Sequence, residues 1–162
     1  MCDREAKSRD PVPRPPSGLR VLICGTDKRF EQQAKKILKA SGWNAAHAET
    51  VSDAIEMIDL WQPDVIVVPS DIIADDSDTN VLGQRIRELA HGVGVVITAQ
   101  MDQFDDAWKA WHKGVHDSVF KPLLSHEELL AAIAHAYAMA RDAQTNEVQD
   151  DRDNENTEPA SA

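Results

Sequence analysis

Pro63-Asp64-Val65-Ile66-Val67-Val68-Pro69-Ser70-Asp71 is the stretch on which the fold turns. A strand with one wet face alternates apolar and polar residues. Val65 to Val68 has no polar position at all, as expected of a strand covered on both faces in a parallel sheet. Pro63 and Pro69 bracket the run, since proline cannot donate to a sheet ladder. The reading places Val65-Ile66-Val67-Val68 mid-sheet, with helices on either side.

Working outward, apolar runs of strand length alternate with stretches of helical period, the sequence form of repeated βα units. Upstream, Arg20 to Cys24 reads as a first strand. Asp27 is placed to cap a helix in which Phe30, Ala34, Ile37 and Leu38 recur at three and four. Gly42 ends that helix. Trp43 to Ala48 is a weaker second strand, and a helix capped near Thr50 or Ser52 turns Ala54, Ile55, Ile58 and Trp61 inward. Downstream, Ala74 to Asn80 is a polar loop before a helix with Val81, Leu82, Ile86 and Leu89 inside. Val93 to Thr98 is a fourth strand, and Phe104 to Lys113 a helix ended by Gly114. His116 to Phe120 is a fifth strand, stopped by Pro122. Ser125 and Glu128 have capping-box spacing ahead of a last helix with Leu129, Leu130, Ile133 and Tyr137 inward.

The chain of 162 residues is long enough for one domain with a real core. Residues 1–18 combine charges with four prolines and read as a disordered leader; 19–141 form the domain; 142–162, acidic with Val148 as the sole large apolar residue, read as a disordered tail. Nothing foldable follows the last helix, so no output domain is expected. A formal charge of -11 disfavours nucleic acid and membrane surfaces, which recruit clustered Lys and Arg. No secretory signal or long apolar span is present, which points to the cytoplasm. Cys2 lies in the leader and Cys24 ends an apolar run, a pattern of free thiols.

In an open parallel sheet ligands bind beyond the carboxyl ends of the strands, near the point where strand order reverses. Here those ends are Gly25-Thr26-Asp27, Pro69-Ser70-Asp71, Thr98-Ala99 and Lys121-Pro122. With Pro63-Asp64 leading the third strand and Gly114 before the fifth, this series over residues 19 to 138 resembles a bacterial response-regulator receiver domain. The resemblance implies a flavodoxin-like, doubly wound α/β fold: five parallel strands in the order 2-1-3-4-5 with helices on both faces. It also implies that Lys121 and Thr98 match the family's phosphoryl-contacting lysine and switch hydroxyl, and that the peptide before Pro122 is cis.

Departures from the family pattern carry the functional reading. Receivers hold Mg²⁺ with an acidic pair after the first strand, to neutralise charge on the transferring phosphoryl group. This chain has Gly25 and Thr26 there, and only Asp27 at the next position is acidic. Counting from Pro63-Asp64 places Pro69, which has no nucleophile, at the phosphoacceptor position. Counting back from Ile86-Arg87 places Asp71 there instead. Strand alternation would put Pro69 and Asp71 on one side if the strand continued past the proline. Lys121 is expected to pair with Asp27 or Asp71. The aromatic switch position of the fifth strand, three before the lysine, is Ser118.

Three functions compete. The first is a stand-alone pseudo-receiver, not an enzyme, that binds a histidine kinase, another regulator or a scaffold without a phosphorylation cycle and needs no cofactor or metal. The expected docking or homodimer surface is the face of the fourth helix, fifth strand and fifth helix of this series, with Trp108, Trp111, His112 and Val119 as contact candidates. A zinc site shared by His112 and His116 has little support, because the two flank Gly114 on different elements. The second function is a phosphorylatable regulator using Asp71. The third is a small flavin-binding protein, for which Gly25-Thr26 is a meagre phosphate loop.

Overall fold

The computed structural model describes residues 18–157 apart from 91, 101 and 103. Strands β1 (Arg20–Cys24), β2 (Asn44–Ala48), β3 (Val65–Pro69), β4 (Gly94–Gln100) and β5 (Asp117–Lys121) form one parallel sheet in the order β2-β1-β3-β4-β5. Helices α1 (Lys28–Ala40), α2 (Val51–Trp61), α3 (Ser70–Ala74), α4 (Val81–Leu89), α5 (Phe104–Trp111) and α6 (His126–Thr157) connect and follow them. This is the doubly wound order expected, with β3 in the middle.

Two cores form because β3 alternates while apolar at every position. Val65 and Val67 point to one face, where Phe30, Ala34, Ile37 and Leu38 of α1 and Leu129, Ala132, Ile133 and Ala136 of α6 cover them. Ile66 and Val68 point to the other, against Ala54 and Ile58 of α2, Ile73 of α3, Leu82 and Ile86 of α4, and Ala107 and Ala110 of α5. A polar residue at any of the four positions would face one of these apolar layers, which is why none interrupts the run.

Local signals also hold. Asp27 caps α1 and Thr50 caps α2. Ser125 Oγ accepts from the Glu128 amide at 3.3 Å, while the Glu128 carboxylate accepts from the amide of Leu124 rather than Ser125, a capping box displaced by one residue. Lys121-Pro122 is a cis peptide.

Several expectations need correction. β3 does not continue past Pro69: a helical turn, α3, begins at Ser70 inside what reads as strand end and loop. It is held by its neighbours, since Asn80 Nδ2 donates to the Ile72 and Asp75 carbonyls at 2.6 and 2.8 Å, and Arg87 Nη1 donates to the Ile73 carbonyl at 3.0 Å. Val81 is exposed, because Asn80 caps α4 and leaves its first residue at the rim. Val119 is 1 % exposed and belongs to the core under α1 and α6, so it is no surface contact. Strand alternation turns it inward where a count along the chain could not. Trp61, expected inward, is half-buried at the margin of its core. Helical backbone runs from Asp142 to Thr157, where the composition predicts disorder; extending a helix already anchored by packing avoids the nucleation cost that an isolated segment would face. Residues 158–162, the leader to residue 17 and Cys2 lie outside the described residues.

α6 approaches the sheet closely at Gly94. A Cβ there would lie 2.9 Å from the backbone carbonyl of Ala136. Gly94→Ala is therefore expected to destabilise the fold by about 1–3 kcal/mol, the usual range for overpacking against atoms that cannot rotate away. Urea unfolding checks this, and an unchanged midpoint would show that α6 slides freely over β4.

Candidate functional site

Because the strands are parallel, their carboxyl ends open on the same edge of the sheet. Gly25, Thr26, Asp27, Pro69, Asp71, Thr98 and Lys121 all line one cleft of ≈340 Å³ there. Register brings them level: Pro69 pairs with Thr98 across β3 and β4, and Gln100 with Lys121 across β4 and β5. Thr98 is 4 % exposed at the cleft floor. Asp71 stands exposed in the first turn of α3, so a helical turn rather than strand alternation brings it to the rim.

Asp27 is committed on both oxygens. Its Oδ1 accepts from the Phe30 amide at 3.1 Å, and its Oδ2 accepts from Lys121 Nζ at 3.1 Å. Of the two expected partners, Lys121 therefore takes Asp27. The ammonium also lies 4.9 Å from the centre of the Phe30 ring, a cation–π distance. The Asp27 carboxyl is held below its ordinary range, chiefly by the Phe30 amide; partial burial opposes this, and Lys121 adds to it by hydrogen bond and charge.

Gly25 and Pro69 depend on each other. Gly25 has φ +125°, and a Cβ on it would lie 3.1 Å from Pro69 Cγ. The ring of Pro69 thus occupies the space that a side chain at position 25 would need, and the backbone conformation independently selects glycine.

A second cluster escapes sequence reasoning. His47 at the end of β2 places Nε2 2.7 Å from the Gly25 carbonyl and Nδ1 3.2 Å from Glu31 Oε1, and Glu31 also meets Lys35 at 3.1 Å. No signal in the sequence marks it; strand register sets His47 beside Ile23, and both line the cleft.

The family model for the response regulator receiver domain matches residues 21–134. The chain belongs to the receiver family. Among solved structures, this receiver is similar to NtrX from Brucella abortus in complex with ADP at 18% identity and TM-score 0.68, covering 82% of this chain and 30% of that one. It is similar to a two-component response regulator from Clostridium difficile at 26% identity and TM-score 0.59, covering 73% and 94%. It is also similar to HP1043, an orphan response regulator of H. pylori, at 20% identity and TM-score 0.60, covering 76% and 99%. The chain spans less than a third of the length of NtrX. A search of curated proteins finds no match.

The Mg²⁺ that the family implies does not fit the donors present. Gly25, Thr26 and Pro69 supply no carboxylate, and both oxygens of Asp27 already accept from an amide and an ammonium. Among the described residues no group of three or more His, Cys, Asp or Glu side chains could hold a metal ion. His116 is buried, with Nδ1 accepting from the Val95 amide at 2.9 Å, whereas His112 is exposed, so the two do not form a zinc site.

On the opposite face of β5, Ser118 lines a hollow of ≈160 Å³ with Ile97, Ala107, Trp108 and Trp111. Trp108 and Trp111 are 58 % and 47 % exposed, and His112 meets Trp108 edge-on at 4.7 Å between ring centres. None of the described helices is long and apolar enough to cross a membrane. Burial pushes the Cys24 thiol up to about 12, which disfavours the thiolate form.

A carboxyl held low stabilises the fold above its ordinary pKa and loses that contribution as pH falls through its lowered one. Asp27→Ala is accordingly expected to cost about 1 kcal/mol at neutral pH, as for loss of an N-cap, and less once the pH drops below about 4. In Lys121→Ala the Asp27 pKa should rise but stay below the ordinary carboxylate value, because the Phe30 amide remains. Carboxyl NMR titration reads both; an unmoved Asp27 would mean that the lysine contact has no energetic weight.

Proposed function

We propose that this receiver works without an aspartyl-phosphate cycle, as a protein-binding adaptor in two-component signalling. The observation that carries the reading is the contact between Gly25 and Pro69. An acidic residue at position 25 would be strained by the backbone φ of +125° and would crowd, with its Cβ at 3.1 Å, the proline that stands where a phosphoacceptor belongs, so the two residues disfavour a return to the acidic pattern together. Lys121, the residue that would meet a phosphoryl group, is instead engaged by Asp27. Phosphoryl transfer depends on electrostatic stabilisation of the moving group, and this cleft has surrendered the metal ligands that supply it.

Its partners, on this reading, are a histidine kinase, another regulator or a scaffold in the cytoplasm. The face of α5, β5 and α6 is the docking or homodimer surface, with exposed Trp108 and Trp111 as anchors and His112 beside them. Ser118 cannot report cleft occupancy by swinging an aromatic ring inward.

A second reading keeps the phosphorylation cycle through Asp71, and its exposure at the cleft rim favours it. Incubation with acetyl phosphate or beryllofluoride and millimolar Mg²⁺ separates the two. The adaptor reading expects no mass gain and no amide shifts around the cleft. A mass gain that Asp71→Asn removes would establish the second reading and end the first.

A further inference from the structure

Charge is unevenly placed on this chain. Five of its seventeen Lys and Arg residues, Lys28, Arg29, Lys35, Lys36 and Lys39, fall within α1 beside a single acid, Glu31. The opposite side of α1 is buried through Phe30, Ala34, Ile37 and Leu38. Arg29, Gln32, Gln33, Lys36 and Lys39 therefore follow one another along an outward stripe and line a shallow groove of ≈780 Å³. Lys35 is met by Glu31, but among the described residues Arg29, Lys36 and Lys39 have no ion pair.

Residues 142–162 are the electrical counterpart, with seven Asp and Glu against Arg152 alone. Helical backbone covers Asp142 to Thr157, a length of about 24 Å at 1.5 Å per residue, and α1 is about 20 Å long on the same scale. The two lengths correspond. Both α1 and α6 run from the carboxyl edge of the sheet back to its amino edge on the same face, so α6 beyond Arg141 continues past the end of its own α1.

We propose that the acidic segment 142–162 of one copy docks on the basic α1 stripe of a second copy, and reciprocally, forming a two-fold dimer. Reciprocity makes the contact isologous, and the second contact forms at high effective concentration once the first exists. That matters because exposed ion pairs are individually weak. A chain of net charge -11 repels a polyanion such as nucleic acid at long range, whereas a tail of matching length is present on every copy. Near 0.1 M salt the screening length of about 10 Å damps repulsion between whole molecules while contacting charges still attract.

Sedimentation or light scattering of the full chain, with circular dichroism to confirm folding, tests this through paired charge reversals. Wild type should dimerise near about 0.1 M salt and dissociate near about 1 M, where screening reaches the contact distance. Arg29→Glu/Lys36→Glu/Lys39→Glu should be monomeric, as should Asp150→Lys/Asp151→Lys/Asp153→Lys. An equimolar mixture of the two should recover the dimer as a heterodimer, because each then offers the other both complements. A wild type that stays monomeric, a dimer that survives either reversal, a dimer lost instead through Trp108→Ala, or a mixture that stays monomeric would each overturn the proposal.

Discussion

Burial of Val65 to Val68 on both faces obliges the chain to supply a helical layer on each side of one strand. A single apolar face could be satisfied by one layer, and two cannot. Alternation sends Val65 and Val67 to α1 and α6, and Ile66 and Val68 to α2, α3, α4 and α5. Right-handed crossovers from one parallel strand to the next then distribute the helices, and the reversal of strand order between β1 and β3 opens the cleft at their carboxyl ends. The site follows from the core. Its position needs no functional residue at all, which is why the fold persists while the chemistry of the cleft has changed.

The cleft itself is governed by coupled substitutions. A proline at the end of β3 closes the ladder and projects its ring toward the turn after β1, where a φ of +125° favours glycine and a Cβ would crowd the ring at 3.1 Å. Lys121, deprived of an anion, would leave an ammonium at the cleft with only water and the Phe30 ring as company. Asp27 satisfies it while also capping α1, so one carboxylate serves a helix end and a lysine at once. Each contact is modest in this partly exposed setting. Together they give Lys121 and Asp27 partners that do not depend on a phosphoryl group.

Strands, most helix faces and the cap at Asp27 were legible because they rest on local periodicity and on chemistry within a few residues. The buried positions of α1 coincide with the apolar spacing of Phe30, Ala34, Ile37 and Leu38. Positions set by distant contacts were less so. α3 exists because Asn80 and Arg87, ten or more residues from its start, accept the task of binding its carbonyls. Val119 looks like surface beside Trp108 and Trp111 until pairing with Thr98 fixes which way it points. His47 gives no sign in sequence that it will reach the Gly25 carbonyl, since that contact joins two strands through register alone. The cleft positions were readable through family resemblance, and the mutual exclusion of a side chain at 25 and the ring at 69 only through coordinates.

Signalling through a receiver requires that an event at the cleft change the surface across the sheet. Here the two are joined by β5, with Lys121 facing the cleft and Ser118 facing the hollow beneath Trp108 and Trp111. Serine has too little area to carry a packing change between them. On the adaptor reading, a surface disconnected from its cleft in this way would bind according to its own shape and charge, with basic residues gathered on α1 and acidic ones on residues 142–162. Regulation would then come from concentration, ionic conditions and competition among partners, all of which act on the outside of the fold and leave its core unmoved.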